Sequence, residues 1–99
     1  MVLKTREVKA SLKKKGFIED KTKDHYFYYY QFEDNKISSI HTKVSHGAKE
    51  IDDGLIAMMA RQTFLSKKKF TDLIECPLTK EGYLEHLLVS NLIPKEFKN

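Results

Sequence analysis

A histidine, His25, stands at the start of the most aromatic stretch of this chain, the run HYFYYY. An unperturbed imidazole titrates at about pH 6.5, so it can accept or donate a proton at neutral pH. Such a group can remove the proton of a ribose 2′-hydroxyl while that oxygen attacks the adjacent phosphate, which is a metal-independent route to RNA cleavage. His25 is therefore a candidate catalytic residue, and the alternative is a strand histidine that only packs against tyrosines.

Lysine side chains are concentrated in the segment before His25, and the whole chain has a formal net charge of +4. Cationic side chains bind the phosphates of nucleic acids, and this binding weakens as the salt concentration rises. The predicted RNA contacts are Lys13, Lys14, Lys15, Lys23, Lys43 and His46. The tyrosines add flat surfaces on which unpaired bases can stack. Lysine runs at helix ends are also commonly no more than solvated surface, so both interpretations stay open.

Length and composition limit the class of protein. The chain has 99 residues, enough for one small domain, and 40% of them are hydrophobic, which is ordinary for a globular core. The absence of a long apolar run and of a secretory signal pattern predicts a cytoplasmic protein without membrane contact. The single cysteine, Cys76, is interpreted as a buried, reduced thiol. His41 and His46 lie far from Cys76 in the sequence, which leaves no metal-ligand spacing, so neither a metal nor another cofactor is predicted.

Local patterns predict the elements that position these residues. Thr5 is expected to cap a first helix in which Val8 and Leu12 share one face. This helix should end in the lysine run, with Gly16 in the left-handed conformation.

Three strands are predicted next, at residues 17–20, 25–32 and 37–44, with a hairpin turn at residues 33–36. Alternation places His25, Phe27, Tyr29 and Gln31 on one face of the second strand and Tyr26, Tyr28, Tyr30 and Phe32 on the other. Because both faces are aromatic, the pattern does not decide which of them packs against helices.

Helices are predicted for the rest of the chain. Asp52 or Asp53 should cap a second helix, and Ser66 and Thr79 should cap helices at residues 67–75 and 80–89. The predicted fold class is therefore α+β, a helix, a three-stranded antiparallel sheet and a helix, followed by two C-terminal helices. We expect residues 1–65 to form the domain and residues 66–99 to form an extension packed on it.

An ordered set of residues along the first two thirds of the chain is similar to a known family. The set comprises Gly16-Phe17 after the first helix, Asp24-His25 at the aromatic strand, Val44-Ser45-His46 at the end of the hairpin, and Lys49-Glu50-Ile51, Gly54, Ile56, Met59 and Arg61-Gln62 around the second helix. Over about residues 4–65 the chain resembles the HicA toxins of toxin–antitoxin pairs.

The resemblance implies a double-stranded-RNA-binding type of fold and an mRNA endonuclease that is silenced by a HicB-like antitoxin protein. It also implies that His25 does the chemistry, since the family keeps a histidine at this position. Lys23-Asp24 stands where the family usually has Gly-Ser.

Two other classes of function remain open from the residues alone. One is a non-catalytic RNA-binding module of the same fold, and the other is a protein-interaction domain with no role in RNA binding. The C-terminal helices are expected either to cover apolar surface or to form a homodimer.

Overall fold

A four-helix α+β fold is present in the computed structural model, which describes residues 2–22, 24–45, 47–75 and 77–94. The elements in chain order are β1 (Leu3–Lys4), α1 (Thr5–Lys14), β2 (Phe17–Lys21), β3 (His25–Phe32), β4 (Asn35–Ser45), β5 (Glu50–Ile51), α2 (Asp53–Gln62), α3 (Lys67–Glu75) and α4 (Lys80–Val89). The predictions made for Lys23, His46 and Cys76 lie outside the described residues.

The predicted three-stranded antiparallel sheet is confirmed, in the order β2-β3-β4. Phe17 pairs with Tyr30, and His25 pairs with Ser45 at the opposite end of β3. The hairpin turn between β3 and β4 is tighter than predicted. Its two central residues, Glu33 and Asp34, both have positive φ angles, of 48° and 67°, as a two-residue type I′ turn requires.

A second, two-stranded sheet was not predicted. In it β1 pairs antiparallel with β5, and Leu3 lies opposite Ile51. Strands of two residues leave no alternation pattern to detect, so only the tertiary fold identifies them. The pairing brings the segment before α2 against the start of α1, where the Thr5 N–H donates to the Lys49 carbonyl at 3.1 Å.

One face of the larger sheet is buried under the helices and the other is open. Tyr28 and Tyr30 of β3 are almost completely buried, as are Thr42 and Val44 of β4. His25, Phe27 and Tyr29 point to the opposite side because successive strand residues alternate, and they are only half-buried. This difference in burial settles which aromatic face is core.

The helical N-termini at the second half of the chain follow their predicted caps. Asp52 Oδ1 accepts from the Leu55 N–H at 2.9 Å, Ser66 Oγ from Lys69 at 3.1 Å, and Thr79 Oγ1 from Gly82 at 2.9 Å. The bounds of α3 and α4 equal the predicted ones. The capping residues predicted from the sequence therefore located the starts of these helices correctly.

The helices α3 and α4 share the hydrophobic core of the sheet. The fully buried Tyr83 of α4 stacks on Phe17 with ring centroids 5.8 Å apart and meets Tyr30 edge-on at 5.4 Å. Its hydroxyl donates to the Thr63 carbonyl at 2.8 Å. Residues on both sides of position 65 thus form one continuous core.

Lys15 joins the end of α1 to the end of α3. Its side chain is buried, with the residue only 6% exposed, and Nζ donates to the Leu73 carbonyl at 2.7 Å and also to the Leu78 carbonyl. Carbonyls at a helix C-terminus lack partners within the helix, and a cation satisfies them well. The ammonium group is therefore occupied inside the protein.

Candidate functional site

His25 lies on the open face at one end of the sheet. Its carbonyl accepts from both the N–H and the hydroxyl of Thr22, each at 2.8 Å, and its own N–H donates back to the Thr22 hydroxyl at 3.1 Å. These three bonds hold the backbone at the start of β3. The half-buried imidazole is therefore carried on a strand end whose backbone is hydrogen-bonded to Thr22.

Four half-buried rings form a continuous row across the open face, which we call the aromatic row: His25, Phe27, Tyr29 and His41. Successive ring centroids are 6.1, 6.2 and 5.6 Å apart, and the Phe27 and Tyr29 planes differ by only 18°. His41 is held by the hydrogen bond that its Nδ1–H donates to the Ser38 carbonyl at 2.8 Å. The row is therefore a set of neighbouring, partly exposed rings, stacked or tilted against one another, on the outer side of the sheet.

Two lysines accompany the aromatic row. Lys36 Nζ lies 4.1 Å from the centre of the Tyr29 ring, a cation–π distance, and 3.9 Å from an Asp20 carboxylate oxygen. Lys43 pairs with Phe27 across the β3–β4 ladder. Both side chains add positive charge to this face, which also carries the Asp20 carboxylate, because Asp20 pairs with Phe27 across the β2–β3 ladder.

A small cleft joins His25 to Lys43 at the end of the row. It has a volume of about 60 Å³, and Ser45, Leu55 and Met58 are among its other lining residues. His25 and Lys43 were both predicted site residues, and the fold brings them together. Leu55 and Met58 are apolar residues of α2, but they are not part of its buried side, since Leu55 is exposed and Met58 is half-buried.

The lysine run at the end of α1 does not act as one cluster. Lys13 Nζ lies 3.5 Å from Glu19 Oε2, Lys14 is exposed, and Lys15 is buried. A helix turns by about 100° per residue, so neighbouring residues point in different directions. We therefore remove Lys15 from the candidate RNA contacts, because its ammonium group already binds backbone carbonyls.

Although the lysine run precedes His25 in the sequence, it does not lie at the His25 end of the sheet. The chain passes from α1 into β2 at Phe17, which pairs with Tyr30. His25 is five residues away along β3, a separation of roughly 17 Å at the usual rise per residue of a strand. The cause is the direction of β2, which runs from the end of α1 toward the His25 end of the sheet.

Glu19 partly neutralises Lys13. The Tyr28 hydroxyl donates to Glu19 Oε2 at 2.6 Å, and this hydrogen bond is the main cause of a lowered Glu19 pKa. Burial raises the pKa of Tyr28 well above its usual value, so the phenol keeps its proton. Lys13 therefore sits beside an ionised carboxylate, which weakens its attraction for a phosphate.

Other lysines, not predicted as site residues, do approach the His25 end of the sheet. Lys9 Nζ lies 3.4 Å from the centre of the Tyr26 ring, and Lys21 Nζ lies 5.8 Å from it. Tyr26 is the neighbour of His25 in β3 but points to the helix side. The approach of Lys9 results from how α1 crosses the sheet, which no local pattern encodes.

The comparisons with known proteins give no relative: no family model, no curated protein and no solved structure matches this chain. Within the described ranges, no group of three or more His, Cys, Asp or Glu residues is arranged to hold a metal ion. None of the helices described is both long and apolar enough to span a membrane. The site is therefore defined by its own geometry, an open aromatic sheet face with a histidine and a lysine at one end.

Proposed function

We propose that this protein binds unpaired RNA on its open sheet face. The observation that carries the proposal is the aromatic row, in which Phe27 and Tyr29 lie nearly parallel beside Lys36 and Lys43. Nucleic-acid bases stack on such rings with about 1–3 kcal/mol per base, and lysines hold the connecting phosphates. Bases inside a duplex are already stacked and paired, so this surface favours single strands.

We further propose that the protein is a HicA-like toxin that cleaves mRNA. Helix, three strands and helix follow one another in α1, β2 to β4 and α2, which is the order that the resemblance implies for a fold of the double-stranded-RNA-binding type. The position of His25 at the end of the aromatic row supports the assignment, because a bound strand would bring a ribose and its phosphate to the imidazole.

The proposed reaction is an internal transesterification of RNA. His25 takes the proton of the 2′-hydroxyl, the 2′-oxygen forms a bond to phosphorus, and the bond from phosphorus to the 5′-oxygen breaks. Solvent protonates the leaving 5′-oxygen, and Lys43 stabilises the charge on the phosphate. The products are a 2′,3′-cyclic phosphate and a 5′-hydroxyl end. General base help of this kind accelerates a reaction by about 10²–10⁴-fold.

A HicB-like antitoxin is the proposed protein partner. β4 is an edge strand of eleven residues, so a strand of the partner can extend the sheet beside it. A partner docked at this edge would cover His41 and Lys43 and exclude RNA from the aromatic row.

A non-catalytic RNA-binding module is the second candidate function. The observation that favours it is the distance between the two histidines of the row, which Phe27 and Tyr29 separate. His41 therefore cannot protonate the leaving oxygen of a phosphate that is bound at His25, and among the residues that the structure describes no second imidazole accompanies His25 at this end of the sheet.

Removing the two central rings tests the binding proposal. The double variant Phe27→Ala, Tyr29→Ala should bind a single-stranded RNA oligonucleotide at least about tenfold more weakly than the wild type, because it loses two stacking surfaces. Fluorescence anisotropy at several salt concentrations measures this affinity. Phe64→Ala is the matched control, because Phe64 is a 41% exposed aromatic residue in the connection after α2 and should leave binding unchanged. An equal loss of RNA affinity in the double variant and in Phe64→Ala would contradict the proposal, as would tighter binding of duplex RNA than of single strands.

Replacing the imidazole tests catalysis. His25→Ala should reduce RNA cleavage by about 10²–10⁴-fold while retaining most of the affinity for RNA. Gel analysis of a labelled oligonucleotide measures the rate, and a 2′,3′-cyclic phosphate at the new end identifies the reaction. His86→Ala, which removes an imidazole that hydrogen-bonds to the Phe64 carbonyl at 2.7 Å, should cleave like the wild type. Binding without cleavage by the wild type would exclude the nuclease and leave the binding module.

A further inference from the structure

A second, larger cleft lies where α1 begins. Its volume is about 610 Å³, and we call it the α1 cleft; it is lined by Lys4, Thr5, Arg6, Lys9, Ala48, Lys49 and Glu50. Four of these side chains are cations and one is a carboxylate, so the lining has a clear excess of positive charge. The β1–β5 pairing creates the cleft, because it places Lys49 and Glu50 beside the first turn of the helix.

Thr5 in this cleft has an unpaired hydroxyl. The residue is only 7% exposed, and its Oγ1 is buried without a hydrogen-bond partner. Thr5 was predicted to cap α1, but the N-cap residue is Lys4, which makes no side-chain capping bond. A buried hydroxyl without a partner costs free energy, and such groups in a folded protein call for an explanation. A ligand that accepts the hydroxyl proton would supply one.

The start of α1 adds peptide N–H donors beside the cleft. Peptide N–H groups in the first turn of a helix have no acceptor within the helix, and the helix dipole places partial positive charge there. The N–H of Thr5 already donates to the Lys49 carbonyl, so the N–H groups of Arg6 and Glu7 are the ones in this turn that helix geometry leaves without an acceptor in the helix. Glu7 also lies in this first turn but does not line the cleft.

We propose that the α1 cleft is a binding site for a phosphate group. The Thr5 hydroxyl donates to one phosphate oxygen, and the four cationic side chains neutralise the dianion. These side chains rotate about several bonds and can rearrange to admit it. The phosphate can be free inorganic phosphate or the 5′-terminal phosphate of an RNA, which present the same oxygens.

The α1 cleft is separate from the aromatic row but close to the His25 end of the sheet. Ala48 lines both this cleft and the small cleft that contains His25, and Lys9 of the α1 cleft lies over the ring of Tyr26. No residue of the aromatic row lines the α1 cleft. The phosphate site therefore does not depend on the function proposed for the open face.

The variant Thr5→Val tests the site, because it should keep or raise the melting temperature of the protein without phosphate but weaken the binding of phosphate. Valine has nearly the shape of threonine and removes only the unpaired hydroxyl, so without phosphate the variant should melt at the same temperature as the wild type or higher. Inorganic phosphate should raise the melting temperature of the wild type above that in chloride of equal ionic strength. The variant should need about tenfold more phosphate, or still more, for the same rise, because it lacks one charge-assisted hydrogen bond.

Two lysine variants separate a built site from general attraction. Lys49→Gln should weaken the phosphate effect, whereas Lys14→Gln, which removes an exposed cation at the other end of α1, should not. The phosphate effect should persist in the Phe27→Ala, Tyr29→Ala protein, so the two proposals can fail separately. The proposal is overturned if phosphate raises the melting temperatures of the Thr5→Val and wild-type proteins equally. It is also overturned if Lys49→Gln and Lys14→Gln reduce this rise in melting temperature by the same amount.

The source of the phosphate is resolved by oligonucleotides that differ only at the 5′ end. An RNA source predicts that a 5′-phosphorylated strand binds the wild type more tightly than the 5′-hydroxyl strand and that Thr5→Val abolishes this difference. A free-phosphate source predicts equal binding of the two strands together with a Thr5-dependent effect of inorganic phosphate. If neither probe gives an effect that depends on Thr5, the cleft is not a phosphate site.

Discussion

A chain that ends after Leu65 is expected not to fold, although residues 1–65 contain everything that the HicA resemblance covers. The side chains lost from the core include six that are almost completely buried: Phe70, Leu73, Ile74, Tyr83, Leu87 and Ile93. Burying each contributes about 1.5–3 kcal/mol, and whole domains are stable by only about 5–15 kcal/mol. The loss is therefore comparable to the entire free energy of unfolding.

The truncation also exposes surface in the part that remains. Phe17 and Tyr30 would lose the ring of Tyr83, and Ser11 would lose the Ile74 carbonyl to which its hydroxyl donates at 2.8 Å. The sheet would then have an apolar patch where α3 and α4 had covered it. We expect the shortened chain to aggregate or to lack a cooperative transition.

Circular dichroism with urea titration measures this result. A chain ending after Pro94 is the matched control, because it keeps every helix and strand described, and it should unfold cooperatively like the full chain. Cooperative unfolding of residues 1–65 would show instead that the first five strands and two helices form an independent domain.

Lys15→Met is expected to destabilise the protein by about 2–4 kcal/mol. Methionine keeps the apolar part of the side chain but cannot donate to the Leu73 and Leu78 carbonyls. Hydrogen bonds from a charged donor contribute about 1.5–3 kcal/mol, and leaving a buried acceptor unpaired carries a further penalty. Removing a buried charge offsets part of this loss, since the ammonium group no longer has to be desolvated.

Lys14→Met is the control, because it makes the same chemical change one residue earlier at an exposed position. Such surface substitutions usually stay within about 0.5 kcal/mol. Urea unfolding at neutral pH compares the two free energies. If the two variants are equally stable, Lys15 does not hold the C-terminal helices to α1. At a temperature where Lys15→Met is folded, it should bind RNA like the wild type, which a direct phosphate contact would not permit.

Interactions between near neighbours in the chain were predictable. Ser66 and Thr79 each accept from the N–H three residues ahead, so both helices begin where the sequence indicates. The β-strands likewise follow from alternation and aromatic content, although β4 extends beyond its predicted bounds on both sides. Glu33 and Asp34 show the limit of this approach, because residue preferences placed the left-handed positions one residue too late.

Strand alternation in the sequence is sufficient to group His25 with Phe27 and Tyr29. It does not decide that this group faces outward, since that depends on where the helices pack, and both groups are aromatic. The fold also added His41 to the row, through a strand pairing that sets Tyr29 opposite His41. The sequence therefore predicted which residues of β3 belong together in the candidate site, but it did not predict that they form an exposed surface.

Three neighbouring lysines that look alike in the sequence have different roles in the tertiary structure. Lys13 forms an ion pair, Lys14 is solvated, and Lys15 is buried and bridges two helices. Thr5 similarly has the residue type of a helix cap but an unpaired hydroxyl beside Lys49, which is 44 positions later. Helix caps and strand alternation depend on atoms a few residues apart, so the local sequence is sufficient to place them. Burial and partners depend on which distant segments come into contact, and only the packing of the whole chain decides that.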